Sequence, residues 1–211
     1  MVQINDYRIE ICGGIASGKT TLANLLARSN IDPILEDFQT NPFWRAFYAD
    51  PAGTAFETEI TFLLQHYHQI KTARKSESLI ASDFSLYLDL AYAYVTLPQD
   101  KREIFLSVYR EVEKELSAPL LLIHLKCDPE IELQRIRERG REVENSITIE
   151  YLQQINSQLE KILVEKAHPD KLLIINSGLL DFAHDKNVQE SILNQINDNL
   201  TLKSYRYERI D

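Results

Sequence analysis

Short apolar segments alternate with longer segments along the chain, and the two kinds differ in the spacing of their apolar residues. The short segments are rich in β-branched and aliphatic residues that do not alternate regularly with polar ones. This is typical of strands in a parallel sheet whose two faces are both buried. The pattern predicts five strands, at residues 7–12, 32–37, 78–82, 119–127 and 171–176.

The longer segments carry apolar residues every three or four positions, as amphipathic helices do. They predict helices at residues 21–28, 56–75, 86–97, 129–140 and 148–167. Because strands and helices alternate, we expect an α/β fold with a doubly wound, five-stranded parallel sheet and helices on both faces. No internal repeat or Gly/Ser-rich linker divides the chain, so residues 1–211 are predicted to form one domain.

Composition narrows the class of protein. A hydrophobic fraction of 44% and a charged fraction of 26% are typical of a globular protein, and no apolar run approaches the ~20 residues of a membrane span. The first residues, MVQINDYRIEI, do not resemble an export signal, so we expect a cytoplasmic protein. A net charge of -9 argues against a nucleic-acid partner, and no membrane partner is expected.

The strongest chemical signal follows the first predicted strand. The segment GGIASGKTT fits the pattern G-x-x-x-x-G-K-[ST] and leads directly into a predicted helix. Such a loop curls its backbone N–H groups around phosphate oxygens, its lysine neutralises phosphate charge and its threonine holds Mg²⁺. A turn that only connects a strand to a helix is the alternative. The predicted triphosphate-binding residues are Gly13, Ile15, Ala16, Ser17, Gly18, Lys19, Thr20 and Thr21.

Acidic residues follow the next two predicted strands. Glu36 and Asp37 end the second, and Asp83 follows the third. Because the carboxyl ends of parallel strands meet at one edge of a sheet, these carboxylates are expected near the phosphate loop. Glu36 is predicted to accept a proton from a substrate hydroxyl, and Asp83 to hold Mg²⁺ together with Thr20. Acids at strand ends can instead begin solvated loops or cap helices.

Arginines cluster at the end of a predicted helix, in the segment RIRERGR. Arg135 and Arg139 are four positions apart and share a helix face, and Arg141 follows in the turn. The planar guanidinium group binds phosphate oxygens well, so these residues are predicted to form a lid over a triphosphate. A solvated helix balanced by neighbouring glutamates is the alternative.

Taken together, these segments resemble the deoxyribonucleoside kinase family from the phosphate loop to the last strand. The resemblance implies that ATP, with Mg²⁺, donates its γ-phosphate to the 5′-hydroxyl of a deoxyribonucleoside in nucleoside salvage. It also implies a homodimer. It makes Glu36, in ILEDF, the base that takes the hydroxyl proton, and Arg139 a catalytic lid residue.

The resemblance extends to the substrate pocket. Tyr48, in FYADP, and Glu144, after the lid, are implied to contact the sugar 3′-hydroxyl, and Asp181 and Phe182, in LLDF, to pack on the adenine of the donor. Trp44 and Phe47 are either walls of the base pocket or ordinary core aromatics. In the helix after Asp83, the resemblance implies substrate contacts for Tyr87 and Asp89.

Two positions depart from the family pattern. The glutamine that pairs with the base in the family aligns with Glu59, which only accepts hydrogen bonds when ionised and would then favour a donor-rich base edge. The family reads acid, arginine, serine where this chain reads Asp83, Phe84 and Ser85, so a cation is lost beside the reacting oxygen. We predict that Glu59 and Phe84 face the substrate.

The loss of the arginine leaves several hypotheses open. The chain is a slow kinase, or it supplies the cation from elsewhere, or it phosphorylates a small molecule other than a nucleoside. A kinase-like accessory protein that binds nucleotide without catalysis is the remaining alternative. The nucleoside kinase is the hypothesis that the phosphate loop, Glu36, Tyr48 and the lid arginines favour.

Overall fold

The computed structural model describes residues 8–73 and 78–207. Its centre is a five-stranded, all-parallel sheet with the strand order β2-β3-β1-β4-β5. This confirms the predicted α/β fold with a five-stranded parallel sheet. The strands are β1 (Arg8–Gly13), β2 (Asp32–Ile34), β3 (Ile80–Ser82), β4 (Leu121–Lys126) and β5 (Leu172–Asn176).

Eight α-helices are found in the described residues, and each predicted helix corresponds to one of them. Three further helices, α2, α5 and α8, were not named by the sequence pattern. The helices are α1 (Lys19–Leu26), α2 (Trp44–Ala49), α3 (Pro51–Ala73), α4 (Leu86–Thr96), α5 (Gln99–Leu116), α6 (Pro129–Arg139), α7 (Ile149–Lys166) and α8 (Lys186–Tyr207).

Helices cover both faces of the sheet because successive strand residues point to opposite sides. Ile9 and Ile11 of β1 pack in one apolar cluster that contains residues of α1 and α8. Cys12, between them and the phosphate loop, belongs to a second cluster with residues of α3, α4, α5 and α7. The sheet is therefore buried between two helical layers, as expected for a doubly wound fold.

The outer strands differ from the prediction that every strand is buried on both faces. Asp32 and Pro33 of β2 are exposed, and Ile174 of β5 is 55% exposed. Both strands lie at the ends of the strand order, where each pairs with a single neighbouring strand. Strand β2 also ends at Ile34, so Glu36 lies in the loop that follows and not in the strand.

Element boundaries also differ from the predictions. Helix α3 begins at Pro51, five residues before the predicted start, because proline is compatible with the first turn of a helix. Tyr7 of the first predicted strand, residues 74–75 of the predicted long helix and both ends of the predicted domain lie outside the described residues. Across the described ranges, no helix combines the length and the apolar character needed to cross a membrane.

Candidate active site

The phosphate loop connects β1 to α1 and depends on glycine at two positions. Gly13 has a φ of 151° and Gly18 a φ of 104°, a region that other residues rarely adopt. A Cβ on Gly13 would lie 2.6 Å from the carbonyl oxygen of Leu125, and one on Gly18 would lie 2.8 Å from the ring of Phe182. The loop can therefore make its tight turn and bring Lys19 to the first position of α1.

Lys19 curls back over the loop. Its Nζ donates hydrogen bonds to the carbonyl oxygens of Gly13 at 3.0 Å and Gly14 at 2.8 Å. Burial lowers the pKa of Lys19, whereas the charges of nearby carboxylates such as Glu36 and Asp83 oppose that change. The ammonium group is thus held at the mouth of the loop, where phosphate charge would stabilise it.

Asp83 joins the phosphate loop to the loop that carries Glu36. Its Oδ2 accepts a hydrogen bond from Thr20 Oγ1 at 2.6 Å, and its Oδ1 accepts one from the backbone N–H of Glu36 at 2.6 Å. Burial raises the pKa of Asp83, although both hydrogen bonds lower it. The hydroxyl of Thr20 and the carboxylate of Asp83 are hard oxygen donors of the kind that Mg²⁺ prefers, so these residues fit the ion.

A cavity of about 510 Å³ opens at this edge of the sheet. Its wall contains the phosphate loop, helices α2 and α3, the segment around Asp83, and the arginines at the end of α6. The sequence-predicted site residues that line it are Ile15, Ala16, Gly18, Lys19, Thr20, Thr21, Glu36, Trp44, Phe47, Tyr48, Glu59, Asp83, Phe84, Asp89, Arg135, Arg139, Arg141 and Glu144.

Glu36 is half-buried in the cavity wall. Its Oε1 accepts a hydrogen bond from His66 Nε2 at 3.1 Å. Burial alone would raise the pKa of Glu36, but the hydrogen bond and charge of His66, with the charge of Lys19, outweigh burial and lower it below its ordinary value. The carboxylate therefore stays ionised and able to accept a proton.

His66 is a charged-site residue that sequence reasoning missed, one of several unpredicted residues in the cavity wall. Its Nδ1 lies 3.0 and 2.9 Å from the two carboxylate oxygens of Asp89, and its ring stacks on Phe84. The two carboxylates outweigh the opposing effect of burial and raise the pKa of His66 to about 10. A signal was present in the sequence, because His66 follows Glu59 by two helical turns and so shares its face of α3.

Glu59 is a buried acid in the cavity wall. Thr96 Oγ1 donates a hydrogen bond to its Oε1 at 3.2 Å. Burial, together with the charge of Asp89, raises the pKa of Glu59 to about 8. At neutral pH the side chain is mainly the neutral acid, which both donates and accepts hydrogen bonds. Only an ionised Glu59 would favour a donor-rich base edge, and this environment disfavours ionisation.

Aromatic residues of α2 form one wall of the cavity. Trp44 packs edge-on against Tyr48, with ring centroids 6.1 Å apart, and Phe47 packs against Tyr48 at 5.5 Å. Trp44 and Tyr48 are half-buried, so each exposes part of its ring to the cavity. Tyr87, which the resemblance placed on the substrate side, packs instead against the core cluster between the sheet and α7.

The three arginines line the cavity, and each already forms a hydrogen bond or an ion pair within the protein. Arg135 Nη2 donates to the carbonyl oxygen of Ser177 at 2.9 Å. Arg139 binds the carboxylate of Glu144 through Nη2 at 2.7 Å and Nε at 2.8 Å, and Arg141 Nη1 lies 3.3 Å from Glu144 Oε1. Glu144 is buried, so in this conformation its charge is neutralised by the two arginines of the predicted lid.

The family model for deoxynucleoside kinases matches residues 9–201, which include the phosphate loop, Glu36, Asp83 and the arginines. This chain belongs to the deoxynucleoside kinase family. The kinase is 30% identical over 193 residues to a deoxyguanosine kinase of Bacillus subtilis (strain 168), and the alignment covers 87% of this chain and 93% of the relative.

A second relative from the same organism is a deoxyadenosine/deoxycytidine kinase that is 29% identical to this chain. The alignment covers 89% of this chain and 90% of the relative. Among solved structures, the kinase matches a deoxyadenosine kinase from M. mycoides with bound dCTP. The TM-score is 0.77 at 22% identity, over 90% of this chain and 99% of the other. This likeness shows that the two proteins share a fold.

Besides Tyr87, four predicted residues of the kinase lie outside the cavity wall. Gly13 and Ser17 contribute to the buried side of the phosphate loop. Phe182 is 4% exposed, and its ring packs against Gly18 and the cluster beside α1. Asp181 lies on the surface, where its carboxylate accepts a hydrogen bond from the backbone N–H of His184 at 3.1 Å. The structure therefore does not bring Asp181 together with the other predicted residues.

The kinase also has a buried polar pair beneath the phosphate loop that the sequence did not reveal. Asn156 Nδ2 donates to Glu132 Oε2 at 2.9 Å, and a Cβ on Gly14 would overlap Glu132 Oε1. Burial raises the pKa of Glu132 to about 7. Only glycine fits at position 14, which gives a packing reason for the second glycine of GGIASGKTT.

Proposed function

We propose that this kinase transfers the γ-phosphate of ATP to the 5′-hydroxyl of a deoxyribonucleoside, in nucleoside salvage. The observation that carries the proposal is the position of Asp83, whose carboxylate accepts one hydrogen bond from Thr20 of the phosphate loop and another from the backbone of Glu36. A single side chain thereby fixes the distance between the group that would accept a proton and the loop that would hold the donor.

In the proposed reaction, Glu36 takes the proton of the 5′-hydroxyl. The hydroxyl oxygen forms a bond to the γ-phosphorus, and the bond from that phosphorus to the bridging oxygen breaks, which releases ADP. Lys19 and Arg139 neutralise charge on the phosphate oxygens. Thr20 and Asp83 would hold Mg²⁺, which supplies further positive charge beside the phosphates when it is bound.

Other roles are proposed from the family resemblance and from position in the cavity. Trp44 and Tyr48 would line the nucleoside pocket, and Glu59 and Asp89, also in the cavity wall, would face the base. Glu144 would contact the sugar, which requires that it exchange part of its ion pair with the arginines. Asp181 and Phe182 are proposed near the donor adenine. A homodimer in the cytoplasm is proposed on the resemblance alone.

Relatives of this chain are named for deoxyguanosine, deoxyadenosine and deoxycytidine. The experiment is therefore a panel of deoxyribonucleosides and ribonucleosides, each incubated with the purified protein, radiolabelled ATP and Mg²⁺. We expect a 5′-monophosphate from at least one deoxyribonucleoside and no product when the ion is chelated. Glu36→Gln should abolish product, while Asp37→Asn, a change of the exposed neighbouring acid, should not.

One observation favours a second candidate, a nucleotide-binding accessory protein with little or no catalysis. Phe84 brings no charge to the position that is an arginine in the family pattern. Calorimetry separates the two candidates. ATP binding without binding of any nucleoside in the panel, and without product, would favour the accessory protein and contradict the kinase.

A further inference from the structure

Phe84, the residue after Asp83, carries no charge where the family pattern has an arginine. Phe84 is 1% exposed and lies in the apolar cluster between the sheet and α7, so it cannot itself stabilise a carboxylate. Yet Glu36, the proposed base, needs a partner that orients it, because an unpaired carboxylate beside a triphosphate would rotate away from the negative charge. Such a partner must come from another element of the fold.

His66 of α3 occupies the required place. Its Nε2 lies 3.1 Å from Glu36 Oε1, in the loop after β2, and its Nδ1 lies 2.9 Å from Asp89 Oδ2, in α4. A neutral imidazole has one N–H group, whereas both nitrogens face carboxylate oxygens here. The ring itself donates to both carboxylates only when it carries two protons and therefore a positive charge.

The titratable groups around the ring are Glu36, Asp89 and, farther away on its own helix, the mainly neutral Glu59. Burial raises the pKa of Asp89, whereas the charge and hydrogen bond of His66 lower it. In the part of the chain that the structure describes, no lysine or arginine forms an ion pair with the Glu36 carboxylate, and its side-chain hydrogen bond comes from His66. A net negative surrounding of this kind favours the imidazolium, which agrees with the raised pKa of His66.

Phe84 fixes the orientation of the imidazole. The two rings are nearly parallel, with an angle of 7° and centroids 4.1 Å apart. A cation over the face of an aromatic ring is attracted by the π electrons, so this stack stabilises a charged imidazole and keeps its edge directed at the two carboxylates. The same contact would be repulsive if residue 84 were a second cation.

We propose that His66 is a protonated positioning residue that holds Glu36 for proton transfer, and that it replaces the positive charge that this chain lacks at position 84. The proposal rests on the proposed function and deepens it. His66 occupies Oε1, and within residues 8–73 and 78–207 no hydrogen bond to Oε2 of Glu36 is formed, so Oε2 can receive the proton of the acceptor hydroxyl. In this arrangement the ring of Phe84 stacks on the imidazolium of His66, which carries the positive charge in place of an arginine at position 84.

The first test measures the charge of His66 without any assay of activity. The protein has 5 histidines, and nitrogen-15 NMR at pH 8 distinguishes a ring with two protonated nitrogens from a neutral ring. We expect one doubly protonated ring that gives a nuclear Overhauser effect to Phe84. That signal should vanish in His66→Gln and persist in His68→Gln, a matched change at an exposed position of the same helix. A neutral His66 at pH 8 would overturn the proposal.

The second test separates positioning from structural support. His66→Gln should lower kcat on the order of 100-fold, because a misplaced base loses reactive geometry, while the KM values for ATP and nucleoside change less than about threefold. His66→Arg, which restores a cation, should recover part of kcat. Wild-type kcat in His66→Gln would contradict the proposal. If the unaltered protein gives no product from any nucleoside, the proposed function fails, and the NMR result still decides the charge of His66.

Discussion

The ring of Phe84 lies face to face with the imidazole of His66, at a centroid distance of 4.1 Å. This contact joins the residue that departs from the family pattern to the residue that hydrogen-bonds Glu36. Phe84 and His66 are therefore expected to behave as a pair, so that a change at one alters the effect of a change at the other.

Phe84→Arg should lower activity at least about tenfold and the free energy of unfolding by about 3 kcal/mol, because it places a second cation in a buried site beside His66. The double variant Phe84→Arg with His66→Gln has a single cation again, and its kcat should exceed that of either single variant. Steady-state kinetics and urea denaturation measure both quantities.

Phe84→Leu is the control for that comparison, because it removes the aromatic ring without adding charge. It should cost less activity than Phe84→Arg. Faster turnover in Phe84→Arg than in the unaltered protein would mean that the site had merely lost an optimised cation, and that His66 does not supply one.

The raised pKa of His66 predicts how stability depends on pH. The folded pKa of about 10 lies above the ordinary value of 6.5, so the protonated ring contributes its full stability below pH 6.5 and loses it as pH rises through about 10. The free energy of unfolding of the unaltered protein should exceed that of His66→Gln most at pH 6 to 7, and the difference should narrow toward pH 10. His68→Gln should show no such trend, and a constant difference would refute the assignment.

Lys19→Met tests the phosphate loop. Removing the ammonium group should lower kcat/KM by about 1000-fold, because charge on the phosphates loses its partner in the loop. The free energy of unfolding should be unchanged or higher, since burial lowers the pKa of Lys19 and its charge is costly in the folded protein. Lys161→Met, on the exposed face of α7, is the matched control and should leave both quantities unaltered.

The protonation of Glu59 predicts a pH-dependent affinity for the nucleoside. Burial raises its pKa to about 8, so below pH 8 the neutral acid both donates and accepts hydrogen bonds, and above pH 8 the carboxylate only accepts. We expect the nucleoside KM of the unaltered protein to rise about tenfold between pH 7 and pH 9.5. A change of this size corresponds to the loss of one hydrogen bond to the nucleoside.

The matched variant for this prediction is Glu59→Gln, whose amide keeps both a donor and an acceptor at every pH. Its KM should stay within about threefold of the unaltered value at pH 7 and should not rise with pH. Glu57→Gln, an exposed neighbour in α3, should keep the unaltered profile. A rise of the same size in Glu59→Gln would assign the titration to another group.

The sequence by itself determined the features that depend on local pattern. Strand and helix periodicity predicted the five parallel strands, and the spacing of GGIASGKTT predicted a loop that fits phosphates, because glycine freedom and helix position are properties of neighbouring residues. The carboxyl ends of parallel strands share one edge, so the meeting of Asp83 with the phosphate loop could also be predicted.

Only the tertiary structure decided how the charges of the site are balanced. His66 meets Glu36 and Asp89 across separations of 30 and 23 residues, and no local pattern specifies which helix will bring a cation to a given carboxylate. The neutral state of Glu59 likewise depends on burial and on the charge of Asp89. Electrostatic interactions act through space and depend on desolvation. The role of Phe84 therefore depends on the side chains that pack against its ring, above all His66.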